Sequence, residues 1–212
     1  MIDLLKGIKY VGSGVTLTLE LLTGAFIIGF VLGGIFSIAR RTRVGRPIVS
    51  GIVSVLRGTP VLLQLSVIFF TSASLTGIKL SILSAGIVTF GINSAAYVSE
   101  IFRSGIESLP RGQFEACQTL EIPRYHTWLR IILPQVFLNT LPSLINEMVA
   151  LLKETAVVGM IGGMDITRSA QALAAEHYEY FIPLCIAGSY YYVLVMIIEW
   201  IGRKIEKKRV YT

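Results

Sequence analysis

Charge is what this chain has least of. Only 15% of its 212 residues are Asp, Glu, Lys or Arg, against roughly a quarter in an ordinary soluble domain. That deficit, with 53% hydrophobic residues and a mean hydropathy of +0.69, points to a membrane protein. Cysteine is nearly missing as well. Cys117 lies in a polar stretch and Cys185 in an apolar one, so neither a disulfide framework nor a thiolate metal site follows. Histidine is as scarce, with His126 and His177 far apart, neither beside a serine within an apolar run. An intramembrane hydrolase needs a base within reach of its nucleophile, and none is placed for it. There is no GxxxxGK[ST] phosphate loop, so the chain is not expected to bind ATP in that way. No low-complexity tract or internal repeat divides it, and residues 1–212 read as a single membrane domain.

Five apolar segments are long enough to cross about 30 Å of hydrocarbon, at about 15–39, 48–70, 80–102, 131–152 and 181–202. Backbone groups in lipid must be satisfied within the segment, so the fold class is all-α, with five transmembrane helices. The first apolar run is too long for a cleaved leader and its basic cluster follows rather than precedes it. Residues 1–12 place Ile2, Leu5, Ile8 and Val11 at helical spacing, a short amphipathic surface helix. Lys and Arg fall thirteen to five on the two sides, with Arg57 inside a span. The excess positions the N-terminus outside and the C-terminus, with the loop at about 103–130, in the cytoplasm. Residues 155–180 then lie outside, and Ile166 to Glu176 read as a re-entrant or a surface helix.

The spans carry polar residues in register. Thr89, Asn93, Tyr97 and Glu100 share one face of span 3. Ser143, Glu147, Ala150 and Glu154 share one face of span 4, with Asn139, Asn146 and Lys153 beside them. Arg57 and Gln64 share a face of span 2, separated by Gly58, Thr59 and Pro60, where the helix has reason to kink or open. Ionisable groups at this depth mark a polar path or ligand site. The plainer reading is hydrogen bonding between helices. Gly24, Gly29, Gly33 and Gly34 read as close packing positions.

The longest polar stretch joins spans 3 and 4. Pro110 and Gly112 break the chain, and Gln113 to Leu120 make about two helical turns. Phe114, Cys117 and Leu120 or Glu121 share a face, and Pro123 ends the helix. A short helix with apolar anchors suits a groove on a partner.

These residues resemble a known family. The permease subunits of binding-protein-dependent ABC importers carry the cytoplasmic pattern E-A-A-x3-G-x9-I-x-L-P. Here it reads Glu115, Ala116, Cys117, then Glu121, then Ile131 to Pro134, with the spacing kept throughout. Cys117 replaces the second alanine and Glu121 replaces the glycine. The polar amino-acid branch adds Leu56 to Pro60 before Gln64 and Leu65, then Tyr97, Glu100 and Arg103. It adds Pro110, Gly112, Gln113, Glu115 and Ala116, then Ile131 to Gln135, Asn146, Glu147 and Leu152 to Thr155.

The resemblance implies a multi-pass inner-membrane subunit that forms a translocation path with a second permease subunit. It implies a helix over Pro110 to Glu121 docked on a cytoplasmic ATPase, and an extracytoplasmic amino-acid-binding protein. The chain itself would hold no cofactor, ATP and magnesium belonging to the ATPase. Asn93, Ser94, Gln64 and Tyr97 would hydrogen-bond the solute. Glu154, helped by Glu147 or Asp165, would meet its ammonium. Arg57 would meet its carboxylate or neutralise Glu147. A basic amino acid is the first expectation, and glutamine or another polar amino acid the second. An ATPase-independent channel or secondary transporter, or an ATPase-binding subunit that moves nothing, remain alternatives from other classes.

Overall fold

The structure is a computed structural model that describes residues 4–209. It is helical, with no strand among the described residues. Helix α1 (Leu4–Gly12) turns at Ser13 and Gly14 into α2 (Val15–Ala39). Then follow α3 (Gly45–Gly58), α4 (Val61–Thr76), α5 (Ile82–Glu107), α6 (Arg111–Thr119) and α7 (Arg124–His126). A π-helical turn over Thr127–Ile132 runs into α8 (Leu133–Glu154). A 3-10 turn (Thr155–Ile161), α9 (Ile166–His177) and α10 (Phe181–Arg209) complete the chain.

Three helical stretches, Leu4–Ala39, Ile82–Glu107 and Phe181–Glu206, are long and apolar enough to cross a membrane. A fourth arises if α3 and α4 are counted together, but they are not the single helix expected over 48–70. They meet at 102° across a break at Thr59 and Pro60. Pro60 has no N–H and forces Thr59 into extended backbone at φ −118°, ψ 143°, which ends α3. Helix α8, expected as span 4, is not among the apolar helices. It carries Asn139, Asn146, Glu147, Lys153 and Glu154, the composition of a helix that faces protein or a wet path rather than lipid. Its π turn lies just ahead of Pro134, which cannot donate to the Arg130 carbonyl. The Leu133 N–H reaches back five residues to the Trp128 carbonyl instead.

Helix α5 is the buried axis of the fold. It packs along α2 through small residues on both helices. A Cβ added to Gly29 would sit 2.8 Å from the Ser94 hydroxyl, and one added to Gly33 would sit 2.6 Å from Val98. Only glycine lets the two backbones approach this closely. Gly34 lies off this seam, with nothing nearer than Phe102 at 4.0 Å. Below α5, Leu21, Leu65, Phe90, Leu151, Leu152 and Val158 form the main core.

The N-terminal helix buries Gly7 and Val11 and leaves Leu5 and Ile8 exposed, while Ile2 lies outside the described residues. Val11 packs with Ile166, Ala170 and Leu173 of α9 and Ile186 of α10. Helix α9 therefore buries its apolar stripe against this chain's own helices.

Candidate functional site

The break in the second apolar segment creates the first polar centre. In an unbroken helix the Leu56 carbonyl would accept the N–H of residue 60, but residue 60 is proline. Two side chains take its place. Gln64 donates through Nε2 at 2.9 Å and Asn93 of α5 donates through Nδ2 at 3.2 Å. The Gln64 amide also reaches the Thr59 carbonyl at 3.2 Å and the Thr59 hydroxyl at 2.8 Å. Asn93 closes the knot by donating to Gln64 Oε1 at 3.1 Å. Two of the expected solute-binding residues are thus brought together, around an open helix end.

One residue along α5, the buried Ser94 hydroxyl donates to Glu147 Oε1 at 2.7 Å. Gly29 leaves the space for that hydroxyl. Glu154 follows on the same face of α8. Among the described residues neither Glu147 nor Glu154 has an ion-pair partner. Arg57 does not neutralise Glu147, the role offered for it as an alternative. It points along α5 instead, 4.0 Å from Glu100 and 5.3 Å from the Tyr97 ring. Glu100 is shared. Arg40, at the end of α2, donates to Glu100 and to Ser50. Arg103 bonds Glu100 Oε2 at 2.9 Å and Glu107 at 2.7 Å. A cleft of about 450 Å³ opens beside this cluster, lined by Arg57, Glu100, Ser104, Asn139 and Ser143 among others. Arg40 was counted only as a flanking charge from sequence. Its pairing with a residue sixty positions away leaves no local pattern.

Asp165 is set apart from these groups. It is fully buried at the start of α9, where it accepts the N–H groups of Thr167 and Arg168 at 3.0 Å each and the Tyr191 hydroxyl at 3.1 Å. Burial pushes its carboxyl above its ordinary value, against those hydrogen bonds, which favour the charged form. In this structure its oxygens cap the helix and accept from Tyr191 rather than facing Glu154.

Helix α6 carries the polar loop. Phe114 packs against Trp128 with ring centres 6.0 Å apart and planes tilted by 51°, Cys117 is buried, and Gln113 donates to Gln135 at 2.9 Å. Its apolar face is thus turned back onto the chain. Leu120, expected on that face, is 72% exposed, because α6 ends before it. Pro110 stands at the start, Gly112 meets open space, and Glu115, Ala116 and Glu121 are exposed.

Glu121 adopts the left-handed conformation, φ 51°. The Ile122 N–H bonds the Cys117 carbonyl and the Glu121 N–H bonds the Gln118 carbonyl, both at 3.0 Å. This is a Schellman end with glutamate where glycine is usual. Glu121→Gly is expected to relieve about 1 kcal/mol of backbone strain. Amide exchange at Leu120 to Ile122 should slow by about fivefold, whereas Glu121→Val should speed it.

Comparison with known proteins places the chain in a family. The chain matches the family described as binding-protein-dependent transport system inner membrane component over residues 25–211. It is 44% identical to a Rickettsia conorii protein named as a putative glutamine transport system permease, over 96% of this chain and 94% of that protein. It is 40% identical to an arginine transport system permease of Bacillus subtilis, over 95% and 93%. Among solved structures, an amino acid ABC transporter crystallised with histidines superposes with a TM-score of 0.88 at 32% identity, covering 98% and 99%. An inward-facing methionine ABC transporter shares the fold, with a TM-score of 0.82 at 19% identity, over 98% and 99%. Subunits of this family are not enzymes and bind no cofactor themselves, since ATP hydrolysis belongs to a separate ATPase subunit. The chain belongs to the inner-membrane permease family of binding-protein-dependent ABC importers.

Proposed function

We propose that this permease moves a basic amino acid inward by alternating access, along the faces of α3, α4, α5 and α8. The observation that carries the solute class is the unpaired state of Glu147 and Glu154. Two carboxylates on one face of α8, with no ion-pair partner among the described residues, supply countercharge for a cationic solute. Relatives named for arginine and crystallised with histidines support the same class. Ser94, Asn93 and Gln64 supply hydrogen bonds along the path, and Arg57 with Tyr97 stands at the Glu100 end to meet a carboxylate. Glutamine is the second reading, favoured by relatives at up to 44% identity named for it.

In this reading five spans cross the membrane, at α2, the broken pair α3–α4, α5, α8 and α10, with the N-terminus outside and the C-terminus cytoplasmic. The arginines at the α2–α3 turn and around α6 support that orientation. Two permease subunits, identical or different, enclose the path, and a binding protein delivers the solute. Helix α6 is the coupling helix. Its exposed Glu115, Ala116, Leu120 and Glu121 face the ATPase, while Phe114 ties it to Trp128 in the turn that leads into α8. A push on α6 is thereby transmitted to the helix that holds Glu147 and Glu154.

The test is uptake by proteoliposomes holding the permease, its ATPase and the binding protein, with arginine, lysine, histidine and glutamine compared. Glu147→Gln and Glu154→Gln are expected to lower uptake of the basic amino acids by about tenfold each. That corresponds to about 1.4 kcal/mol of lost ion pairing. Unchanged uptake of basic amino acids in both variants, with glutamine preferred, would select the second reading. Uptake that needs no ATP would sink both.

A further inference from the structure

The arginines at the end of α2 do more than mark a side. Arg40, Arg41, Arg43, Arg46 and Arg103 line one cavity of about 710 Å³, in which Glu107 is the single lining carboxylate. Arg40 and Arg103 are neutralised by Glu100 and Glu107. Arg41, Arg43 and Arg46 have no carboxylate partner among the described residues. Three guanidinium groups without a carboxylate partner around a wide, open cavity offer an anion charge-assisted hydrogen bonds.

A second cavity adjoins the first. It is an apolar groove of about 620 Å³ between α2, α5 and the start of α8, and it shares Ser37, Arg41 and Ile106 with the basic cavity. Its outer wall is the exposed face of α2, where Val31, Ile35 and Ile38 are 54%, 52% and 70% exposed. At the junction the Arg41 guanidinium lies 4.0 Å from the Trp128 ring centre. Cation–π contact fixes Arg41 there, half toward the charged pocket and half over the groove. A tryptophan at the boundary between an apolar band and a basic rim is the arrangement found at a headgroup level.

We infer that this pair of cavities is a binding site for an anionic phospholipid, its phosphate among Arg41, Arg43 and Arg46 and one acyl chain along Phe30, Gly34, Phe102 and Leu133. Charge complementarity selects the anionic headgroup, and continuity with an apolar groove on the outer face of α2 selects a lipid over a soluble phosphate or an acidic protein. Trp128 also touches Phe114 of α6, so the occupied site borders the proposed coupling helix. The orientation proposed for the permease decides only which leaflet supplies the lipid. Binding measured in detergent does not depend on it, and the two readings fail separately.

The experiment is native mass spectrometry of the permease–ATPase complex in detergent. It is offered phosphatidylglycerol, phosphatidylcholine of the same acyl chains, and inorganic phosphate. The complex is expected to retain phosphatidylglycerol in preference. Each arginine near the surface contributes about fivefold, so R41Q/R43Q/R46Q should lose roughly a hundredfold in that preference. Gly34→Leu, placed where a side chain has room, should lower phosphatidylglycerol retention with the arginines intact. Equal retention of the two lipids, or an unchanged preference in the triple variant, overturns the site. Displacement of phosphatidylglycerol by equimolar phosphate, with Gly34→Leu silent, assigns the pocket to a free anion and overturns the lipid. Loss of the ATPase from the triple variant with its lipid preference intact makes the patch a protein contact and overturns it equally. If the triple variant does not assemble, Gly34→Leu decides alone, and unchanged retention there rejects the proposal.

Discussion

Glu100→Ala is expected to cost about 1–3 kcal/mol of stability, less than for a fully buried ion pair because Arg40 and Glu100 are only partly buried. The Glu100 and Arg40 side chains are 19% and 14% exposed and both border open cavities, so water offsets part of the loss. Removing the carboxylate leaves Arg40 with Ser50 alone, frees Arg103 to Glu107, and takes from Arg57 its nearest anion. Three positive charges then face one another where α2, α3 and α5 meet. Removing both partners should be much milder, because the desolvation cost of an unpaired charge vanishes with the charge itself. The measurement is a double-mutant cycle of thermal unfolding in detergent with Glu100→Leu, Arg40→Leu and the pair together. Coupling near zero would show the contact to be an incidental surface pair and would return Arg40 to the role of a flanking charge.

Helix identity was legible where hydropathy and period agreed. The first, third and last apolar segments are continuous helices in the structure, and the third runs on to Glu107 because Arg103 and Glu107 pair across one turn outside the apolar window. The Glu147–Glu154 face of α8 was legible for the same reason, but its partner on α5 is Ser94, one residue off the Asn93 stripe that the register picks out. Three features were not legible. Hydropathy over 48–70 reads through Thr59 and Pro60, so it cannot report a 102° turn. Periodicity in α6 grouped Phe114, Cys117 and Leu120, but a helix that ends at Thr119 lets the next residue leave the face. Asp165 looked like a free acid because hydropathy does not report its bonds to the Thr167 and Arg168 N–H groups, although its place directly before Ile166 is that of an N-cap. The oddity at Glu121 was visible as a missing glycine, and the structure keeps the left-handed turn at the strain cost of a side chain.

The second large effect concerns the broken span. Gln64→Leu with Asn93→Leu is expected to cost about 2–6 kcal/mol, because the Leu56 carbonyl loses both side-chain amides that replace the missing Pro60 N–H and the Thr59 carbonyl loses its bond from Gln64. Each buried carbonyl left without a donor costs about 1–3 kcal/mol. The single variants should not add up to the double. Asn93→Leu leaves Gln64 on the Leu56 carbonyl at 2.9 Å, and Gln64→Leu leaves Asn93 on it at 3.2 Å, so each alone spares that group. Adding Pro60→Ala to the double variant provides a separate check. It restores a backbone N–H at the position the Leu56 carbonyl requires, and the chain can then continue α3 into α4. Stability should partly recover while the 102° bend is lost. If Gln64 and Asn93 serve only the solute, the double variant will unfold at the wild-type temperature and Pro60→Ala will merely destabilise it. If they hold the break open, the straightened triple variant will be stable yet inactive in ATP-driven uptake. That outcome separates the shape of the break from the chemistry of the two amides that hold it.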